Sequence, residues 1–590
     1  MKFNKEQLEA INHLKGAAMV IAGAGSGKST VLVERVKQLI KNGAKGSDIL
    51  VITFTDNSSK DLKKKFAENN IEGMVLGTFH SVCRRILINE GIDASKQLVD
   101  YQVENEFKKI DKNVKYKAVK SFIGYQKNYG VGVNDNFEYM ESEYDEDTLR
   151  EFYNTYENFK TKKHALDFED WLLLTIDILK KNPNKYTYKY IMIDESQDNN
   201  KIQYELIKLL CPSNNTMVIG DFRQSIFSFR GSNPELFMNF NKVYTDAKII
   251  NLNVNYRSTN NIVDTSNEFI KKYYGDYEFY EDSIAKNKLN GDILQYDNVD
   301  KIQESEIIVN KIEAKLKKGT SPNEIAVLYR LNQNSFNIEN ELKKRDIPYH
   351  ISSTDGNFFN RKEINGIMCM LRLIDNPHDD MAYDAIYNTR MHPFTFMSNV
   401  LRDRIRDLSI TKDISLFEAS EFVKVDKTFQ RKVLNDFNKI ILDLIVQHKK
   451  KGKSLINLVD NIIILLKIPE FINTHYEGDA LEERLESLTA LKTFIRDNTL
   501  ESFLKFVYGS NKSSKKCTKD DIELMTIHKS KGLEFENVFI VGVEDDKFPN
   551  KKAPIEEEAR LFYVASTRPK QNLYISQIGI GNRFVDEYMS

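Results

Sequence analysis

The segment AGAGSGKST, residues 22–30, follows a short apolar run and precedes an apolar-periodic stretch that Gly43 stops. Glycines at this spacing let backbone N–H groups curl around an anion, and Lys28 brings a charge to the same place. Ser29 adds a hydroxyl suited to a hard divalent cation. Ala22, Gly23, Ala24, Gly25, Ser26, Gly27, Lys28, Ser29 and Thr30 are therefore the expected phosphate-binding loop for a nucleoside triphosphate with Mg²⁺. Ala22 stands where the usual spelling of such a loop has glycine. Further on, YIMIDESQD ends an apolar run in two carboxylates. At the C-terminal edge of a buried strand, Asp194 can hold Mg²⁺ while Glu195 orients and deprotonates an attacking water.

Those residues need a sheet to position them. Apolar runs at 18–22, 49–55, 190–194, 216–221 and 248–253 alternate with helical patterns, the signature of a parallel sheet covered on both faces. The pattern returns at 325–330, 537–543 and 572–576. Between about 85 and 182, and again between 376 and 511, helical periodicity replaces the strands. The expected class is α/β, with two lobes each interrupted by a mainly helical insertion. The first lobe takes 1–84 and 183–254, with 85–182 as its insertion. The second takes 255–375 and 512–590, with 376–511 as a short, divergent insertion closing in a lysine-rich linker.

Bulk properties bound the partners. A chain of 590 residues exceeds one hydrophobic core. Its net charge of −1 supplies no global field for nucleic acid, so any such binding must use a locally basic groove. The four cysteines (Cys83, Cys211, Cys369, Cys517) form no close pair, which argues against a disulfide or metal framework. The N-terminus has no apolar signal core, and no run of ~18 apolar residues spans a membrane. A cytoplasmic protein, bacterial or phage-encoded, is expected.

The ordered motifs TFT (53–55), GTFHSVC (77–83), DESQD (194–198) and VIGDFRQSIFSFRGS (218–232) resemble those of superfamily 1 helicases. So do NYRST (255–259), LMTIHKSKGLEF (524–535) and EEEARLFYVASTRPK (556–570), and the UvrD/PcrA/Rep group is the most similar. The resemblance implies two RecA-like lobes and an ATP-dependent 3′→5′ DNA helicase or single-strand translocase, with single strands and junctions as substrates. Gln7 would read the adenine edge, Tyr256 would stack on the base, and Glu534 would hold the ribose. Gln224 would sense the γ-phosphate, while Arg257 and Arg568 would reach it from the second lobe.

The same resemblance sends Phe54, Thr78, Phe79, His80, Phe227, Phe229, Arg230 and His528 toward DNA. Aromatic faces stack on bases without choosing a sequence. With 35 Phe and 28 Tyr, most aromatics must serve the core, and the alternation of Phe227 and Phe229 suits a core role equally. Lys60, Lys63–Lys65, Lys529 and Lys531 add charge near these motifs, and most such lysines are simply solvated. The single Trp171 reads as structural.

Three departures from the pattern matter. NTRMHPFTFMSN (388–399) lacks the glycine turn with which relatives grip duplex, and HKKKGK (448–453) is a basic turn that offers a substitute or is merely solvated. ESEYDED (141–147) reads as a solvated loop. Only 22 residues follow Arg568, so cleavage is expected to come from another protein. A DNA-stimulated ATPase subunit that activates a partner nuclease or effector therefore stays open as a second reading. A small-molecule kinase would leave both second-lobe arginines unexplained.

Overall fold

The computed structural model describes residues 2–228, 231–352, 358–449, 454–476, 478–495, 499–508, 518 and 520–590. Strands β1 (Ala18–Ala22), β2 (Ile49–Ile52), β3 (Val75–Gly77), β4 (Tyr190–Ile193), β5 (Thr216–Gly220) and β6 (Lys248–Leu252) form one sheet in the order β3-β2-β4-β5-β1-β6. Every pairing in it is parallel. β1 is buried along its whole length. Met19 and Ile21 enter the core on one face, whereas Ala18, Val20 and Ala22 enter that on the other. A strand covered on both faces needs apolar residues at every position, which is why AMVIA shows no alternation.

β7 (Val254–Asn255) and β8 (Ile284–Ala285) form a short parallel pair beside the crossing between lobes. The second sheet contains β9 (Ile293–Asn298), β10 (Ile325–Tyr329), β11 (Tyr349–Ile351), β12 (Ile522–Thr526), β13 (Phe535–Glu544) and β14 (Pro569–Ile578), in the order β11-β12-β10-β13-β14-β9 and again all parallel. The fold is thus α/β with two parallel six-stranded sheets, each carrying its own pair of apolar layers.

Each sheet is interrupted by helices. Asp100–Phe107, Tyr116–Asn128 and Glu146–Lys163 enclose a separate core around Phe107, Phe122 and Phe152. The acidic run before the last of these is more than a loop: Asp145 caps that helix by accepting from the Thr148 N–H. The second helical core runs from Phe336 to Val507. Helix Lys362–Asp375 lies within it, so that bundle begins ahead of the expected boundary at 376. Phe394 of the divergent 388–399 stretch is buried there, whereas Phe396 is exposed. Most of HKKKGK and the lysine-rich linker lie outside the described residues. Among the described residues no helix is long and apolar enough to cross a membrane.

Candidate functional site

The phosphate loop joins β1 to helix Lys28–Lys41, with Gly27 at the helix N-cap in the left-handed region (φ 84°) and Gly25 likewise (φ 68°). Only glycine takes these angles without cost. A Cβ on Gly25 would also fall 2.7 Å from Arg257 Cβ and 2.8 Å from Asn255 Oδ1, so the second-lobe segment rests directly on the loop. The Tyr256 N–H donates to Gly25 O at 2.9 Å. Asn255 Oδ1 in turn accepts from the N–H groups of Arg257 and Ser258, fixing the turn that presents Tyr256 and Arg257. On the other side, Gln7 Nε2 donates to Ser26 O at 3.1 Å while its Oε1 closes a capping box with Asn4. Tyr256 is 43% exposed, open to a planar ligand.

Lys28 Nζ meets Glu195 Oε1 at 3.0 Å. Burial works against the Lys28 charge, but Glu195, Asp194 and Asp221 outweigh it and raise its pKa. Asp194 is pushed up by burial and by Glu195. Burial acts on Glu195 too, yet Lys28 and Lys531 pull its pKa down, so this carboxylate is the one held ionised. Glu195 has φ 53°, a conformation costly for a non-glycine residue and characteristic of residues aimed for function. Ser26 Oγ is buried with no hydrogen-bond partner. An orphan hydroxyl in a glycine cradle, beside a half-exposed Ser29 and the crowded Asp194–Glu195 pair, fits a phosphate chain with a divalent cation.

The second lobe closes the site. Arg568 is buried, donating to Val564 O at 2.8 Å, Leu533 O at 3.3 Å and Gln224 Oε1 at 3.0 Å. Burial and the neighbouring Arg257 push its pKa down to about 9. Arg257 Nε donates to Glu534 Oε2 at 2.7 Å. Burial tends to raise the Glu534 pKa, but Arg257 and Lys570 bring it down. Lys531 also crosses between lobes, pairing with Asp198 and donating to Gln224 O at 2.6 Å. It is therefore a strut between the lobes, its side chain 9% exposed, rather than a solvated lysine.

Residues 3–245 match the UvrD/REP helicase N-terminal domain, and residues 250–579 match the UvrD-like helicase C-terminal domain. The chain belongs to the UvrD/REP helicase family, whose members hydrolyse ATP. The ATP-dependent DNA helicase PcrA of Staphylococcus aureus is 30% identical over 97% of this chain and 83% of its own length. The protein of the same name from Staphylococcus epidermidis is 29% identical, with the same two shares.

In this UvrD/REP helicase the expected strand-facing residues divide. Phe54 and Phe227 stack on one another at 5.2 Å, and His528 lies 6.2 Å from Phe227. Thr78 caps helix Phe79–Asn89 and, with His80, lines a cleft of about 830 Å³ between the first sheet and its helical insertion. Tyr116, Lys117 and Lys120 of the insertion also line it, as does Phe168, whose ring lies 5.6 Å from that of His80. Phe79 is 3% exposed and packs in the core under the sheet, and it also borders that cleft. Helix periodicity turns it inward one position before His80. Trp171 is buried beside His80 and Phe168, as a structural residue should be. Phe229 and Arg230 lie outside the described residues.

Sequence reasoning missed Asn255, Asp198, Phe168 and Arg223. Asn255 and Asp198 fall inside quoted motifs, so position alone flagged them. Phe168 follows Asp167, the cap of its helix, and a large apolar residue at the first helical position is a usable surface signal. Arg223 also falls inside a quoted motif, between Phe222 and Gln224, and its inward direction is set by the turn Phe222–Gln224, which periodicity does not reveal.

Proposed function

We propose that the chain is an ATP-driven motor that moves 3′→5′ on single-stranded DNA and separates duplex ahead of it. One observation carries the reading: Arg568 of the second lobe bonds Gln224 of the first, and three residues later the same segment presents Phe227 to Phe54. A γ-phosphate arriving between Lys28 and Arg568 would compete for that guanidinium. Its movement would be felt by the aromatic pair.

In this mechanism Gly25, Gly27 and Lys28 hold the phosphates, and Tyr256 and Gln7 address the base. Mg²⁺, when bound through Ser29 and Asp194, neutralises charge on the transferring phosphoryl group. Glu195 orients the attacking water and accepts its proton, a task suited to the carboxylate held ionised. Arg568 and Arg257 come from the lobe opposite Lys28, so hydrolysis depends on closure, and closure is what moves the strand. The Lys28–Glu195 and Arg257–Glu534 pairs would open on nucleotide entry, freeing Glu195 for water and Glu534 for the ribose.

The test compares ATPase activity and strand separation on 3′-tailed and 5′-tailed duplexes, with Lys28→Ala and Glu195→Gln controls. Unwinding of 3′-tailed substrate alone is expected. Unwinding of 5′-tailed substrate would overturn the polarity. DNA-stimulated hydrolysis without any unwinding would instead favour an ATPase subunit that acts through a partner.

A further inference from the structure

Asp221 is fully buried, and both of its carboxylate oxygens are committed. Oδ1 accepts from Arg223 Nε at 2.7 Å and from the Arg223 N–H at 3.2 Å. Oδ2 accepts from Gln224 Nε2 at 2.7 Å. Gln224 then has one orientation available: its NH₂ faces Asp221, and its oxygen faces Arg568. An ionised carboxylate only accepts, so it dictates which end of the amide it meets.

The guanidinium that neutralises Asp221 is itself enclosed. Arg223 is 3% exposed, and Phe222, Tyr280 and Tyr563 surround it at 5.6–5.7 Å from their ring centres. Its NH1 donates to Glu281 O at 3.3 Å. Its NH2 lies 3.0 Å from where a Cβ on Gly23 would sit, so it leans on the phosphate loop as well. Tyr563 belongs to helix Ile555–Ser566, which leads into Arg568. No step of the proposed hydrolysis uses Arg223.

We propose that Arg223 is a positioning residue for hydrolysis: through Asp221 it fixes the side-chain amide of Gln224 toward Arg568. Without the guanidinium, Oδ1 of this buried carboxylate loses its closest donor, and water or a new side-chain orientation must satisfy it. Asp221 then no longer holds the Gln224 amide in one rotation, and when the amide turns over its NH₂ meets the Arg568 guanidinium, so that two donors face each other. The contact between lobes is lost although neither partner has changed. The proposal rests on the reading of Gln224 as the link between hydrolysis and the strand groove.

The test is a double-mutant cycle on DNA-stimulated ATPase activity, using full-length Arg223→Gln, Gln224→Ala and the pair. Arg223→Gln is expected to lower kcat by about 10–100-fold with KM for ATP within about threefold, the pattern of an interaction felt in the transition state. In the Gln224→Ala background the same substitution should cost less than about twofold more, because the two residues act on one contact. A purely structural Arg223 would give independent, multiplying losses, and that result overturns the proposal, as does an unchanged kcat in Arg223→Gln. If Arg223→Gln does not fold, the cycle is run with Arg223→Met, which also removes the charge and the donors while keeping an apolar chain among the surrounding rings. If Gln224→Ala alone leaves DNA-stimulated hydrolysis intact, the underlying reading of Gln224 fails instead. A loss in Gln224→Ala with none in the Arg223 variant defeats only the present inference.

Discussion

Arg568 and Gln224 meet across the two lobes at 3.0 Å, with the guanidinium NH2 donating to the amide Oε1. Among the described residues no carboxylate hydrogen-bonds to Arg568: its other acceptors are two backbone carbonyls and the Thr567 hydroxyl. A buried cation held only by neutral oxygens is an unfavourable arrangement that an arriving anion would relieve. Arg568→Ala is therefore expected to lower kcat for ATP hydrolysis by about 10³-fold or more, within the range seen for arginine fingers. Single-turnover hydrolysis beside nucleotide-binding measurements checks this. Lysine should not restore the rate, because it lacks the planar fork.

The second sheet holds a carboxyl away from water. Glu304, on helix Lys301–Lys317, accepts from the Gly542 N–H at 2.8 Å, and burial pushes its pKa up to about 7. The folded state thus binds this proton more tightly than the unfolded chain, whose value is near 4.5. The group's contribution is most favourable below pH 4.5 and falls as pH rises to about 7. Glu304→Gln keeps an acceptor for Gly542 and removes the charge. It should stabilise the protein by about 2–3 kcal/mol at pH 8 and have little effect at pH 4.5. Urea unfolding at the two pH values reads the difference.

Phe54 comes from the segment after β2, and Phe227 from the segment after β5. The Lys531 ammonium lies 5.2 Å from the Phe227 ring centre, so this aromatic pair borders the strut between the lobes. Phe227→Ala should weaken binding of a single-stranded oligonucleotide by about 1–3 kcal/mol, the worth of one stacked base. Fluorescence anisotropy titrations at fixed salt would measure it, with DNA-free ATPase activity expected to stay within about twofold.

How far the sequence disclosed this arrangement depended on how local each signal was. β1, β4, β5 and β10 were legible because every one of their residues is buried, leaving an uninterrupted apolar run. β9 was not: as an edge strand it exposes Leu294 and Asp297 and reads ILQYDN. β3 and β11 are three residues each, too short for any period to register. Lys28, Asp194 and Glu195 followed from their neighbours. The left-handed Glu195, the Arg257–Glu534 pair and the Asp221 relay did not, since they depend on segments brought together only by the fold. Phe79, a motif residue, packs in the core and also borders the cleft, a double placement that its motif does not disclose.

The wall of the cleft opposite the first sheet rests on a buried charge cluster. Lys127 lies 2.5 Å from both Asp167 and Asp170, while Lys160 lies 2.7 Å from Glu157 and 2.8 Å from Asp170. Burial would raise the Asp167 pKa, but the two lysines hold it well below the usual carboxylate range. Asp167 also caps helix Phe168–Lys181, whose first turn places Phe168 and Trp171 beside His80. Lys127→Met leaves three acids to one lysine, and breaking a buried pair in this way costs about 3–5 kcal/mol. The loss should be local, because this insertion has a core of its own. Hydrogen exchange over Tyr116–Asn128 and Glu146–Lys163 should accelerate, and weaker single-strand binding should accompany it. Uniform acceleration over the whole chain would show instead that the cluster supports the first lobe at large.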